Sequence, residues 1–363
     1  VRIDSLSLSH FRNYYRYSIE FNKDINILIG KNAQGKTNII EAIYVLSLSK
    51  SFRTNHNFQM VSFKEKFCKI QGTIFSNDRI KKLEVMISEE YKKASIDGKD
   101  ILKSSDYVGH LNVIVFIPDD LSLVKGSPSV RRKFIDLELS KISPIYVFHL
   151  QKYQHLLKER NTYLRSVQGK SKHDTLYLDV LDEQLAKLQI EIIQKRKEFI
   201  SLLSKQVQSI YTTISSLEEE IRLEYSSFIK SEVTYQNIWE MYQKYRKRDL
   251  RYGMTHIGVH KDDVAILMNN KEASLFASQG QQRTIVLSTK IALVEVIKST
   301  IGEYPVLLLD DVLSELDDHR KTMLLNILDE KVQTFITTTS IDGISHSIVD
   351  KAKKIYIDKT NRG

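Results

Sequence analysis

Residues Gly30-Lys31-Asn32-Ala33-Gln34-Gly35-Lys36-Thr37 satisfy the spacing G-x-x-x-x-G-K-[ST], and no other stretch restricts the fold as strongly. The run Ile25 to Ile29 before this octet is short and apolar, as a strand buried on both faces is. After it, Ile39, Ala42, Ile43 and Leu46 recur at helical spacing. The octet therefore joins a strand to a helix N-terminus. There its glycines let backbone N–H groups converge on phosphate oxygens, and the peptide dipoles of the new helix favour an anion. Lys36 is then placed to reach the β- and γ-phosphates of ATP, and Thr37 to ligate Mg²⁺ through its hydroxyl.

Comparable apolar runs at Val113 to Ile117, Val306 to Leu309 and Thr334 to Thr337 predict further strands of one buried sheet, so an α/β core is expected. Ile70 to Ile74 and Leu83 to Ile87 predict antiparallel strands beside it, followed by an Asp97-Gly98 turn. The middle of the chain reads differently. No proline lies between Pro144 and Pro305, and Gly169 is the one glycine between Gly126 and Gly253, so a helical insert splits the core. Leu178, Leu181, Leu185, Leu188, Ile192, Phe199 and Leu202 step by threes and fours, with Lys195 in the slot between Ile192 and Phe199. Leu150, Tyr153, Leu157 and Leu164 offer a partner stripe, and Gly169 to Lys172 a polar turn, giving a short antiparallel coiled arm. The interior of an ordinary helix bundle would produce the same stripe. The expected division is an N-terminal lobe at 1–125, an insert or arm at 126–250 and a C-terminal lobe at 251–363.

Val306-Leu307-Leu308-Leu309-Asp310-Asp311 is an apolar strand ending in two carboxylates, which sets Asp310 beside a metal ion and Asp311 toward an attacking water. Ser278-Gln279-Gly280-Gln281 opens a second helix whose Ile285, Val286, Thr289 and Ala292 share a buried face. A serine and a glycine at a helix start form another anion site, or Ser278 acts only as an N-cap. The net charge of +9 makes a polyanion a plausible partner, with nucleic acid the first candidate. Lys244, Arg246, Lys247, Arg248 and Arg251 interleave with Tyr242, Tyr245 and Tyr252, as in DNA-binding segments, although a solvated helix face has the same pattern. Arg131 and Arg132 would contact phosphates or pair with Asp136 and Glu138. A single cysteine, Cys68, fits a reducing compartment, and the apolar runs fall short of the roughly 20 residues of a membrane span, so a cytoplasmic protein is expected.

Taken together these stretches resemble the ABC and SMC type ATPase head and, within it, the RecF family. The closest markers are Pro118 to Leu121, Lys125 to Asp136, and Asp310-Asp311 followed by Leu313-Ser314-Glu315-Leu316-Asp317. The resemblance spans the whole chain. It implies a mixed sheet with flanking helices, split by the helical arm. It also implies a weak, DNA-stimulated ATPase that dimerises head to tail on Mg-ATP and clamps duplex DNA, gapped or junction DNA included. With RecO and RecR it would load recombinase at single-strand gaps, in the nucleoid, during DNA repair and replication restart. By the same resemblance Ser278 touches the γ-phosphate of the partner's ATP, the Leu313 to Asp317 turn lines the dimer seam, and Arg12 and Asn13 lie near nucleotide phosphates.

The departures are local. Val259 and Lys261 stand where relatives usually carry Pro and Arg, and Phe52 replaces a histidine found in some. Asp311 stands where most ABC-type ATPases have Glu, so hydrolysis is expected to be slow. Thr338 and Thr339 occupy the place of the transporter switch histidine. An ABC-type module driving a membrane partner is the chief rival, and a P-loop kinase acting on a metabolite the second. The missing histidine, the insert and the basic charge favour DNA.

Overall fold

A computed structural model of the chain describes residues 1–170, 174–215, 218–328, 332–341 and 346–358. Two compact units emerge: Val1–Asp120 with Ile210–Leu217 and Val286–Gly363, and Leu121–Ser209 with Glu218–Ile285. The boundary expected at 125 lies close to the first junction. The one expected at 250 does not coincide with a junction, because residues 251–285, Ser278 among them, pack with the insert.

In the first unit the apolar runs form a parallel sheet in the order Lys353–Tyr356, Ile25–Ile29, Thr334–Thr338, Val306–Asp310, Val113–Phe116. The three central strands and Val113–Phe116 are buried almost throughout, which is why their sequences run apolar without alternation. Register sets Asp310 beside Thr337, and Thr338 beside Ile29, so the acidic strand end and the start of the glycine loop share the carboxyl edge of the sheet. Across the helix Lys36–Leu48 lies a six-stranded antiparallel sheet spanning Arg2–Ile101. Two of its hairpin turns use paired left-handed residues, Asn77-Asp78 and the expected Asp97-Gly98. Helix Lys36–Leu48 touches both sheets, and its Ile39, Ile40, Ala42, Ile43, Val45 and Leu46 are all fully buried. An apolar surface all round is what a helix held between two layers requires.

The second unit contains the two helices of the expected arm, Pro144–Val167 and Thr175–Ser215, the latter continuing past the unit's edge. Leu178, Leu181, Leu185, Ile192 and Phe199 are buried as the heptad reading requires, whereas Leu202 is exposed. Asp182, Ala186, Gln189, Ile193 and Arg196 are buried beside them, a face too wide for a two-helix seam. The helix Tyr235–Tyr252 fills the third position, its Arg246 bonding to Asp182 and its Tyr242 hydroxyl accepting from Gln189. Of the expected turn, Ser171 and Lys172 lie outside the described residues.

This three-helix core is polar at its centre. Arg160 donates to Asp182 at 2.6 Å, to Asp249 at 2.7 Å and to Thr255 at 2.8 Å, with all three charged side chains 0% exposed. His256 adds a 2.8 Å contact to Asp249. Nearby His260 is held neutral: its Nδ1 accepts from the Tyr153 hydroxyl at 2.6 Å, its Nε2 faces the Thr255 carbonyl at 3.3 Å, and burial pushes its pKa down to about 4. The folded chain therefore refuses a proton that the unfolded chain accepts below about pH 6.5. The stability tied to His260 is complete above that pH and falls as the solution is acidified, by about 2 kcal/mol at pH 5. Urea unfolding of the parent and of His260→Gln at pH 7 and pH 5 measures this, and the same pH dependence in both proteins would refute it.

Candidate functional site

The loop Gly30–Gly35 is held by its own short bonds. Gln34 Oε1 accepts the Lys31 N–H at 2.6 Å, and Ala33 adopts a left-handed φ of 63°. Only glycine fits its two ends. A Cβ on Gly30 would clash with the Ile357 carbonyl oxygen, and Gly35, at φ 102°, would press one against the Tyr14 hydroxyl at 2.8 Å. Lys31, Asn32 and Ala33 are exposed at the rim.

Lys36 Nζ donates to the carbonyls of Gly30 at 2.6 Å and Lys31 at 3.1 Å, so the ammonium spans the loop from within. Burial lowers its pKa, and the charges of Asp311 and Asp310 oppose that shift. Thr37 Oγ1 donates to Asp310 Oδ1 at 3.0 Å, the two side chains being 273 positions apart in sequence. Asp310 is 6% exposed, and burial raises its pKa against the hydrogen bonds of Thr337 and Thr37. Asp311 follows in the left-handed conformation at φ 57° and is exposed. A hydroxyl and a carboxylate in contact are hard-oxygen donors that suit Mg²⁺, which takes few protein ligands and completes its shell with phosphate oxygens and water. No cluster of three or more acidic, His or Cys ligands occurs among the described residues.

Arg12 and Asn13 take different partners, and only Asn13 is seen against the loop. Asn13 borders Gly35, 3.0 Å from the position of its absent Cβ, and accepts from Asn38 at 2.6 Å. The Arg12 guanidinium grips the buried carboxylate of Glu41 at 2.9 and 2.5 Å and the Gln59 carbonyl at 2.6 Å. Arg53 and Ser51 bond to the same Glu41. This cluster on the P-loop helix was not anticipated, since a lone Glu within an apolar helix gives no sign of its partners.

Elsewhere the basic candidates separate. In the second unit Ser278 and Gln281 form a reciprocal cap: Ser278 Oγ accepts the Gln281 N–H at 3.3 Å, and Gln281 Oε1 accepts the Ser278 N–H at 2.7 Å. Ser278 and Gln279 are exposed, and Gly280 is half-buried. Of the basic helix Tyr235–Tyr252, Lys244, Lys247, Arg248 and Arg251 are exposed, and no ion pair among the described residues engages them. Arg246 does not belong with them: it is clamped by Asp179 at 2.7 Å and Asp182 at 2.6 Å and faces inward. Arg131 pairs with Asp263 and Arg132 with the Asp262 carbonyl, rather than with Asp136 or Glu138. The Thr338 hydroxyl bonds to the Ser340 carbonyl, and it is Thr337, absent from the expected site, that touches the acidic pair.

The RecF/RecN/SMC N terminal domain family matches residues 2–129. A DNA replication and repair protein RecF of Geobacillus sp. (strain WCH70) is 46% identical over 353 residues, covering 96% of this chain and 94% of the relative. The RecF of Pediococcus pentosaceus is 44% identical over 98% of this chain and 97% of its own length. Among solved structures, the recombination mediator protein RecF-ATPrS in the RecFOR pathway superposes with a TM-score of 0.90 at 32% identity, covering 98% of this chain and 97% of that one. An Smc head bound to the C-winged helix domain of ScpA, at TM-score 0.56 and 16% identity, shares the fold. With two curated relatives alike over nearly their whole length, this chain belongs to the RecF family.

Proposed function

We propose that this chain is an ATP-dependent, DNA-binding recombination mediator with a weak, DNA-stimulated ATPase. The observation that carries the reading is the meeting of Thr37 with Asp310 at 3.0 Å, beneath a glycine loop spanned by Lys36. Solved relatives described as RecF-ATP and RecF-ATPrS in the RecFOR pathway support it. Lys36 and the loop bind and orient the β- and γ-phosphates; Thr37 and Asp310 would hold Mg²⁺, which supplies charge neutralisation there. Asp311, beyond the metal side, orients the attacking water. The Ser278-Gln279-Gly280-Gln281 helix start, with Ser278 and Gln279 exposed, faces the γ-phosphate of a second copy, so ATP binds the closed homodimer more tightly than the separated chains and drives closure.

The closed pair clamps duplex DNA, gapped or junction DNA included, and works with RecO and RecR in the cytoplasm at the nucleoid. Lys244, Lys247, Arg248 and Arg251 fall at i, i+3, i+4 and i+7, one exposed stripe that would follow a phosphate backbone. Sedimentation with ATP and Mg²⁺, with and without duplex DNA, tests the dimer; a chain that stays monomeric at saturating ATP in both cases would refute it. The combined variant Lys247→Ala, Arg248→Ala, Arg251→Ala should weaken duplex binding and flatten its dependence on log salt by about 2 to 3 for each copy on the duplex. An unchanged slope would remove the stripe from the DNA surface.

A further inference from the structure

The strand Thr334–Thr338 ends beside the acidic pair, and its Thr337 is in register with Asp310. Thr337 is 2% exposed, and its single hydroxyl is used on both sides. It accepts the Asp311 N–H at 2.9 Å and lies 2.9 Å from Asp310 Oδ1. An amide N–H can only donate, so the lone pair of Thr337 serves Asp311 and its proton is left for the Asp310 carboxylate. One hydroxyl thus sets the orientation of Asp310 and ties down the backbone at Asp311, whose left-handed φ of 57° a non-glycine residue adopts only under constraint. The other donor to Asp310 Oδ1, Thr37, is a ligand for Mg²⁺ by the reading above, a task that would use an oxygen lone pair and leave its proton for Asp310. Thr337 is the donor on that oxygen that the ion would not engage, and the one that also holds Asp311.

We propose that Thr337 is the positioning residue for both carboxylates, holding Asp310 for the metal and Asp311 for the attacking water through one hydroxyl. The inference rests on the ATPase reading. It assigns to a residue on a third strand a task that neither the glycine loop nor the acidic strand performs for itself.

Thr337→Val removes the hydroxyl and keeps the shape, while Thr337→Ser keeps the hydroxyl. Binding of a fluorescent ATP analogue in EDTA, which depends on Lys36 and the loop, should stay within about twofold of the parent in both variants. Mn²⁺ affinity in the presence of ATPγS, read by electron paramagnetic resonance, should weaken about 10-fold or more in Thr337→Val and be restored in Thr337→Ser. Turnover should follow the same pattern, with kcat lowered about 10-fold or more and KM changed little. Parental Mn²⁺ affinity and kcat in Thr337→Val would overturn the inference. So would a serine variant as impaired as the valine one, or a valine variant that loses nucleotide binding in EDTA, since both would mark a packing role. A parent that binds no nucleotide would overturn the ATPase reading itself, and this inference with it.

Discussion

Lys36→Ala is expected to abolish measurable ATP binding and, in the same protein, the ATP-dependent association with duplex DNA. The ammonium already sits inside the loop on two carbonyls, at 2.6 and 3.1 Å, and its charge acts on Asp310 and Asp311. Its removal leaves the phosphates opposed to two carboxylates without the ammonium that the loop encloses. Each charge-assisted bond contributes about 1.5–3 kcal/mol, so losing two should weaken binding by about 100-fold or more. The loop's shape should survive, because it rests on Gly30, Gly35 and the Gln34 to Lys31 bond. Equilibrium titration with a fluorescent nucleotide and DNA binding at saturating ATP read the two effects. Undiminished nucleotide-dependent DNA binding in this variant would count decisively against the assigned role.

Arg160→Ala should destabilise the chain more than any surface change, by about 3–5 kcal/mol. The substitution strands Asp182 and Asp249, both 0% exposed, around an empty volume with no cation shared between them. Arg246 and His256 each hold one of these carboxylates from the other side, but neither spans the two. Urea unfolding monitored by circular dichroism reads the loss. A change below about 1 kcal/mol would mean that water reaches this centre freely and that the network is not buried in solution.

What the sequence made legible was local or periodic. The octet Gly30–Thr37 carries its geometry in eight consecutive residues, and the strand before it announces itself by composition. Asp310 and Asp311 were readable because they end a run of buried aliphatics. Thr337 was not, because its role arises from strand register across the sheet, and register joins residues that sequence spacing does not relate. Arg246 was misassigned for a different reason. Counting charges along Tyr242–Tyr252 ignored the helical period, which sets Arg246 with the buried Tyr242 and Asp249, four and three positions away. Marking the apolar side of that helix first would have separated it from Lys244, Lys247, Arg248 and Arg251. The insert was visible from missing glycine and proline, but not the third helix that closes its core.

The order of strands in the parallel sheet has a consequence for synthesis. Ile25–Ile29 pairs with Thr334–Thr338 and Lys353–Tyr356, and Val113–Phe116 with Val306–Asp310. Both early strands therefore leave the ribosome with no sheet neighbour until Val306–Asp310 and Thr334–Thr338 have been translated. The antiparallel sheet ending at Ile101 and the unit closing at Ile285 can mature on the nascent chain long before that. The nucleotide cradle is begun at Ile25–Ile29 and finished only at Val306–Asp310 and Thr334–Thr338, so a product interrupted between them exposes two of the most aliphatic segments of the chain and becomes a natural client for chaperones and proteases.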